Sequence, residues 1–154
     1  MPLQLAWREE FAAPPQRVYA ALTDFDAMAR WMPGFVGVEK LTDGPVRVGT
    51  QFRETRRIMG HNATEHFEVT GVEPGRQFEL FVDGTKGSSK RGEYRFRYEL
   101  APGGRGTVVT LTGQIGGMGW LMELVGRLFL GPMKKAIAKD LAALRAYVEG
   151  GGAA

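Results

Sequence analysis

The chain of 154 residues contains no cysteine and only two histidines. Without cysteine there is no disulfide and no thiol nucleophile, a composition that fits a reducing cytoplasm, the expected location. His61 and His66 stand five positions apart with no other clustered ligands around them. We therefore expect no metal site and no cofactor. Long hydrophobic runs are also missing. A bilayer span needs roughly 18 apolar residues, and the nearest stretch, Met118 to Leu130, is interrupted by Glu123, Gly126 and Arg127. The opening segment MPLQLAWREEF has neither the basic start nor the apolar run of a signal peptide, so the sequon Asn62-Ala63-Thr64 is not expected to matter. An excess of one charge is lacking too. Twenty basic and 17 acidic residues leave a net charge of +3, scattered along the chain, which is too mild a balance to argue for nucleic acid. Ser88-Ser89 has no G-x-S-x-G context, and Gly113, Gly116, Gly117 and Gly119 form no phosphate-loop motif.

What is present is the material of a globular domain: 44% hydrophobic and 24% charged residues. We read one domain over residues 1–149 and a frayed, disordered tail over 150–154. Leu3, Leu5, Trp7 and Phe11 share one phase of an alternating segment, which predicts a strand. Pro14-Pro15 then opens a short helix running to about Leu22, and a second runs from about Phe25 to Trp31, ended by Pro33-Gly34. From Phe35 to Ile115, turn signals recur every few residues between strand-like runs, predicting an antiparallel meander of about six strands. Residues 118–148 return to helical spacing.

Two hairpins carry testable registers. A type II′ turn at Gly60-His61 would pair Ile58 with Ala63, Arg56 with Glu65, Glu54 with Phe67 and Phe52 with Val69 on one face. Across the loop from Pro102 to Gly106, the expected pairs are Leu100 with Thr107, Tyr98 with Val109 and Phe96 with Leu111. Apolar residues segregate to one face in both, as a half-buried sheet requires. Phe78, Leu80 and Val82 add an inward stripe, and His66 falls on the outer face. Arg56 and Glu65 then stand among apolar neighbours, where an isolated charge would cost several kcal/mol. We read them as a polar anchor for a ligand or as a structural ion pair near the sheet rim. Glu54 lies in the same phase, and Glu54, Glu65 and Tyr98 are the weak candidates for acid–base chemistry.

The last helix has two unlike halves. Met133, Ile137, Leu141, Leu144 and Val148 form an apolar stripe, while Lys134, Lys135, Lys139, Asp140 and Arg145 occupy other faces. Residues 118–130 are apolar nearly all round, and Gly131-Pro132 should kink the junction. That first half reads as core plus ordinary surface hydrophobes or a dimer contact, or as a ligand-entry lid or a surface touching a membrane or a protein partner.

Taken in order, Ala13-Pro14-Pro15-Gln16-Arg17-Val18-Tyr19-Ala20-Ala21-Leu22-Thr23-Asp24, Arg30-Trp31-Met32-Pro33-Gly34-Phe35, Val48-Gly49-Thr50-Gln51-Phe52, Val72-Glu73-Pro74-Gly75-Arg76, Gly106-Thr107-Val108-Val109-Thr110 and Leu141–Glu149 resemble the START/Bet v 1-like (SRPBCC) superfamily. Within it they are similar to the polyketide cyclase/dehydrase and lipid-transport group. The resemblance implies an α+β helix-grip fold: a curved seven-stranded antiparallel sheet around a long C-terminal helix, two short helices after strand 1, and a cavity between sheet and helix. It carries over no catalytic residue, because its members include carriers, receptors, cochaperone-like modules and cyclases. The expected function is binding or transport of a small hydrophobic molecule, such as a lipid, an isoprenoid or a polyketide-like aromatic. Phe52, Arg56, Glu65, Phe67, Val69, Phe78, Leu80, Phe96, Tyr98 and Leu111 would form the sheet wall, and Met122, Val125, Phe129 and Met133 the helix wall. A cyclase/dehydratase-type enzyme and a cochaperone-like module are the alternatives.

Overall fold

A computed structural model of the chain describes residues 3–151. Strand β1 (Leu3–Phe11) is followed by helix α1 (Pro15–Thr23), a 3₁₀ turn (Phe25–Ala27) and the single-turn helix α2 (Met28–Trp31). Six strands come next: β2 (Phe35–Lys40), β3 (Gln51–Ile58), β4 (His61–Glu73), β5 (Gln77–Asp83), β6 (Glu93–Gly103) and β7 (Gly106–Gly116). Helix α3 (Trp120–Gly126), a 3₁₀ turn (Arg127–Phe129) and helix α4 (Leu130–Glu149) close the chain. The seven strands form one antiparallel sheet in the order β1-β7-β6-β5-β4-β3-β2. This is the helix-grip arrangement, with α4 held against one face of the sheet. Of the disordered tail expected over 150–154, Gly150 and Gly151 instead form a turn that caps the last helix, with their N–H groups donating to the Ala146 (3.0 Å) and Val148 (3.1 Å) carbonyls, and 152–154 lie outside the described residues.

Alternation positions the core. Along β1, Leu3, Trp7 and Phe11 are buried while Gln4, Ala6, Arg8 and Glu10 are exposed. Phe52, Val69, Phe78, Val109 and Leu111 bring the matching face of the sheet, and Leu141, Leu144 and Val148 bring the stripe of α4. Pro14 stands at the N-cap of α1, so the missing proline N–H groups fall where a helix needs none. Register shifts between Val69 and Gly71 in β4, and between Phe35 and Gly37 in β2, mark bulges that bend the strands. Helix α4 is fixed hardest at its C-terminal half. There Arg17 donates to the Val148 carbonyl (2.8 Å), the Ala12 N–H donates to Glu149 (3.0 Å), and Arg145 bridges Glu9 (2.7 Å) and Glu149 (2.9 Å). Towards its N-terminus, the Trp7 indole donates to the Lys134 carbonyl (2.9 Å).

The structure corrects both hairpin registers by two residues. The β3–β4 turn is Met59-Gly60, with Ile58 opposite His61, so Arg56 pairs with Ala63, Glu54 with Glu65 and Phe52 with Phe67. Both turn residues have positive φ, 51° and 82°, as a type I′ turn requires. The glycine takes the second central position rather than the first. In the β6–β7 hairpin Leu100 faces Val109, Tyr98 faces Leu111 and Phe96 faces Gly113. A shift of two leaves every side chain on its expected face but changes its neighbour. Met59 is 94% exposed in a left-handed conformation that disfavours a side chain of its shape. Met59→Asn, which completes an Asn-Gly turn, is expected to stabilise the protein by about 1 kcal/mol, read from the urea midpoint at unchanged slope.

The kink also moves. The helix breaks at Arg127–Phe129, before Gly131-Pro132, and Pro132 sits in the first turn of α4, where its missing donor is harmless.

Candidate functional site

A cavity of about 150 Å³ lies between the sheet and the helices. Its sheet wall is Phe52, Glu54 and Arg56 of β3, Phe67 of β4, Phe78 and Leu80 of β5, Phe96 and Tyr98 of β6 and Leu111 of β7. The opposite wall combines Ile137, Asp140, Leu141 and Leu144 of α4 with Leu22, Phe25, Met28, Trp31 and Met32 from the α1–α2 region. Aromatic packing shapes one end: Phe52 stacks on Phe67 (5.0 Å between centroids) and meets Phe25 at 4.3 Å.

Against this apolar lining stands one polar group of four side chains. Arg56 makes a two-pronged ion pair with Asp140, at 2.9 Å from Nη1 and 2.8 Å from Nη2, and also donates to the Pro33 carbonyl from Nη2 (2.8 Å) and Nε (3.2 Å). Their side chains are 23% and 24% exposed, so the pair stands where the cavity meets solvent. The Asp140 hydrogen bonds keep the guanidinium charged against the cost of burial. Glu54 is 8% exposed and has no hydrogen-bond partner among the described residues. Burial lifts its carboxyl pKa to about 7, with Arg56 pulling it down and Asp140 pushing it up. Burial likewise raises the Tyr98 phenol, helped by the negative charges of Asp140 and Glu54. The Trp31 indole N–H, from another wall residue, is buried without a partner among the described residues, a state that costs about 1–3 kcal/mol. The cavity therefore combines the Arg56–Asp140 ion pair, a carboxyl whose pKa burial raises to about 7, and a phenol.

The structure brings Phe52, Arg56, Phe67, Phe78, Leu80, Phe96, Tyr98, Leu111 and Glu54 together on this wall. It separates others. Val69 is wholly buried in the packed core, off the cavity wall. Glu65 does not meet Arg56. The two-residue register shift takes it to the Ser88-Ser89 loop, where Oε1 accepts from the Ser89 backbone N–H (3.0 Å) and hydroxyl (2.5 Å). Met122, Val125, Phe129 and Met133 line none of the cavity. The helix tightens to a 3₁₀ turn at Arg127–Phe129, and Met122, Val125 and Phe129 are exposed. The helix wall starts at Ile137, one turn beyond Met133. His66 lies on the outer face, as expected, yet it is buried there and its Nε2 is 3.1 Å from Gln51. Desolvation lowers its pKa.

Sequence reasoning missed Asp140 by assigning it to a solvent face. Its signal was present: Asp140 stands three residues after Ile137 and four before Leu144, inside the apolar stripe. The α1–α2 residues were missed because no periodicity in two short helices says which partner they cover.

Among solved structures, the chain is similar to protein CV1439 from Chromobacterium violaceum (22% identity, TM-score 0.73, 96% of this chain and 99% of that one). It is also similar to protein TTHA0849 from Thermus thermophilus (19%, 0.77, 97% and 99%) and to the Bet v 1 relative Ara h 8.0201 (14%, 0.76, 96% and 98%). At these identities the likeness is one of fold, the Bet v 1-like fold. No curated protein matches in sequence. The model of one family, described as polyketide cyclase / dehydrase and lipid transport, matches residues 7–149. With nearly the whole chain matched and the helix-grip architecture in place, this protein belongs to the polyketide cyclase / dehydrase and lipid transport family.

Proposed function

We propose that the protein binds a small hydrophobic molecule carrying one hydrogen-bonding group, held in the cavity between the sheet and α4. The observation that carries this reading is the contrast in the cavity wall. Apolar and aromatic side chains surround a single cluster of Glu54, Arg56, Tyr98 and Asp140, which is the composition of sites that bury a ligand body and orient its polar end. Space narrows the ligand class. An apolar cavity of about 150 Å³ is the size that admits one benzene-like ring. A monocyclic aromatic or a short isoprenoid fits this form, and a longer lipid requires the walls to part. The open space also weighs for binding over an interaction module with a filled interior.

The test is calorimetric titration with toluene, p-cresol and benzoate. We expect p-cresol to bind about tenfold more tightly than toluene, because one hydrogen bond to a charged group contributes about 1.5 kcal/mol. No heat from any of the three would count against the reading.

A second reading, a cyclase/dehydratase-type enzyme, is favoured by one observation: a buried carboxyl with a pKa of about 7 is poised for general acid–base work. Glu54, with Tyr98 beside it, replaces Glu65 as the candidate, since Glu65 Oε1 is engaged by Ser89. Turnover of an aromatic polyketide surrogate that is lost in both Glu54→Gln and Tyr98→Phe would select the enzyme over the carrier.

A further inference from the structure

The segment from Trp120 to Phe129 has no buried residue. Trp120, Leu124 and Leu128 recur at helical spacing and are 77%, 57% and 80% exposed; Leu121 and Phe129 extend the patch at 56% and 61%. A contiguous apolar surface of this kind marks a binding face. The polar side of such a helix would normally face water. Here Glu123 and Gly126 face inward instead, half-buried, with Gly126 against Leu3. Charge identifies what covers the patch. Across residues 118–139 the charged side chains are Arg127, Lys134, Lys135 and Lys139 against Glu123 alone, and all four basic residues are exposed. Met118, at the start of the segment, lies against Gly92, next to the exposed Lys90 and Arg91, with Glu93 the acidic residue on that side.

We propose that residues 118–130 dock the protein on an anionic lipid surface. Trp120, Leu124, Leu128 and Phe129 sink to the boundary of headgroups and acyl chains, while Arg127, Lys134 and Lys135 meet lipid phosphates. The distribution is that of a helix lying in the interface: large apolar side chains flanked by Lys and Arg, with too short an apolar run to cross. A second copy of the chain fits less well. A two-fold contact through this patch would bring together two surfaces that carry the same excess of basic side chains, Arg127, Lys134, Lys135 and Lys139 on each copy.

Co-sedimentation of the full chain with vesicles tests this independently of any cavity ligand. We expect binding to vesicles of about one-third phosphatidylglycerol in phosphatidylcholine, reduced about tenfold on pure phosphatidylcholine or at about 0.5 M salt. Leu124→Glu/Leu128→Glu should lose about tenfold or more, and Lys134→Glu/Lys135→Glu should lose binding to the anionic vesicles in particular. All these positions are exposed, so unchanged thermal midpoints are expected to accompany the losses. No sedimentation with anionic vesicles, or equal sedimentation of wild type and Leu124→Glu/Leu128→Glu, would overturn the proposal. So would a dimer in solution that dissociates in that double variant while vesicles stay unbound, which assigns the patch to a second copy.

Discussion

Replacing Asp140 by alanine is expected to cost about 2–3 kcal/mol of folding free energy. Asp140 supplies both carboxylate oxygens to the guanidinium at 2.8 and 2.9 Å, and without it Arg56 keeps the Pro33 carbonyl and the attraction of the nearby Glu54, which hydrogen-bonds to neither prong. Breaking a fully buried pair costs about 3–5 kcal/mol, while an exposed pair is worth about 0–1 kcal/mol. At 23% and 24% exposure this one belongs between those limits and nearer the first. The companion variant Arg56→Met/Asp140→Leu removes both charges at similar volume, and its stability should lie within about 1 kcal/mol of wild type. It should nonetheless weaken p-cresol binding relative to toluene, because the cluster that orients a polar end is gone. Urea unfolding of both variants checks the first pair of statements. An Asp140→Ala variant as stable as wild type would mean that Arg56 is solvated and not part of a desolvated wall.

The second large effect concerns pH. Glu54 has a carboxyl pKa of about 7 in the folded protein, against 4.5 ordinarily. Below pH 4.5 it is protonated in both states and its burial carries no charge penalty. As pH rises from 4.5 to 7 the unfolded chain ionises while the folded one stays neutral. Stability is therefore fully present below 4.5 and lost as pH climbs through the folded value. A shift of this size corresponds to about 3 kcal/mol. Glu54→Gln removes that titration, so between pH 4.5 and pH 8 the wild type should lose about 3 kcal/mol relative to the variant. Taking the difference between the two proteins cancels His66, which titrates in both with its pKa lowered by burial. Equal pH slopes in urea unfolding would show that the carboxyl reaches water. A bound molecule that accepts a proton from Glu54, or donates a hydrogen bond to it, would change this slope as well.

The parts of this protein that were legible in its sequence are those governed by parity and spacing. Phe52, Glu54 and Arg56 lie on the cavity face although both hairpins are shifted by two, because an even shift never moves a side chain across a sheet. The neighbours of those side chains were not legible. They depend on which two residues make the turn, and the chain accepts Met59 at positive φ to place Gly60 second. Asp140 shows a different limit. Its place in the apolar stripe marks it as inward-facing, but the partner that makes a charge acceptable there, Arg56, lies 84 positions earlier. The helix break after Gly126 had no proline at the right place to announce it. Met122 and Val125 before it and Phe129 at its end are exposed, on an outer surface rather than in the cavity.

The central claim is that the space between the sheet and α4 takes up a small apolar molecule. Native mass spectrometry of the protein incubated with p-cresol, alongside a Leu80→Trp variant, tests it most directly. Leu80 is on the cavity wall, and an indole there takes up much of the 150 Å³. The account predicts one bound molecule per chain in the wild type and none in the folded Leu80→Trp variant. An equal bound fraction in the two proteins would place the ligand elsewhere and contradict it.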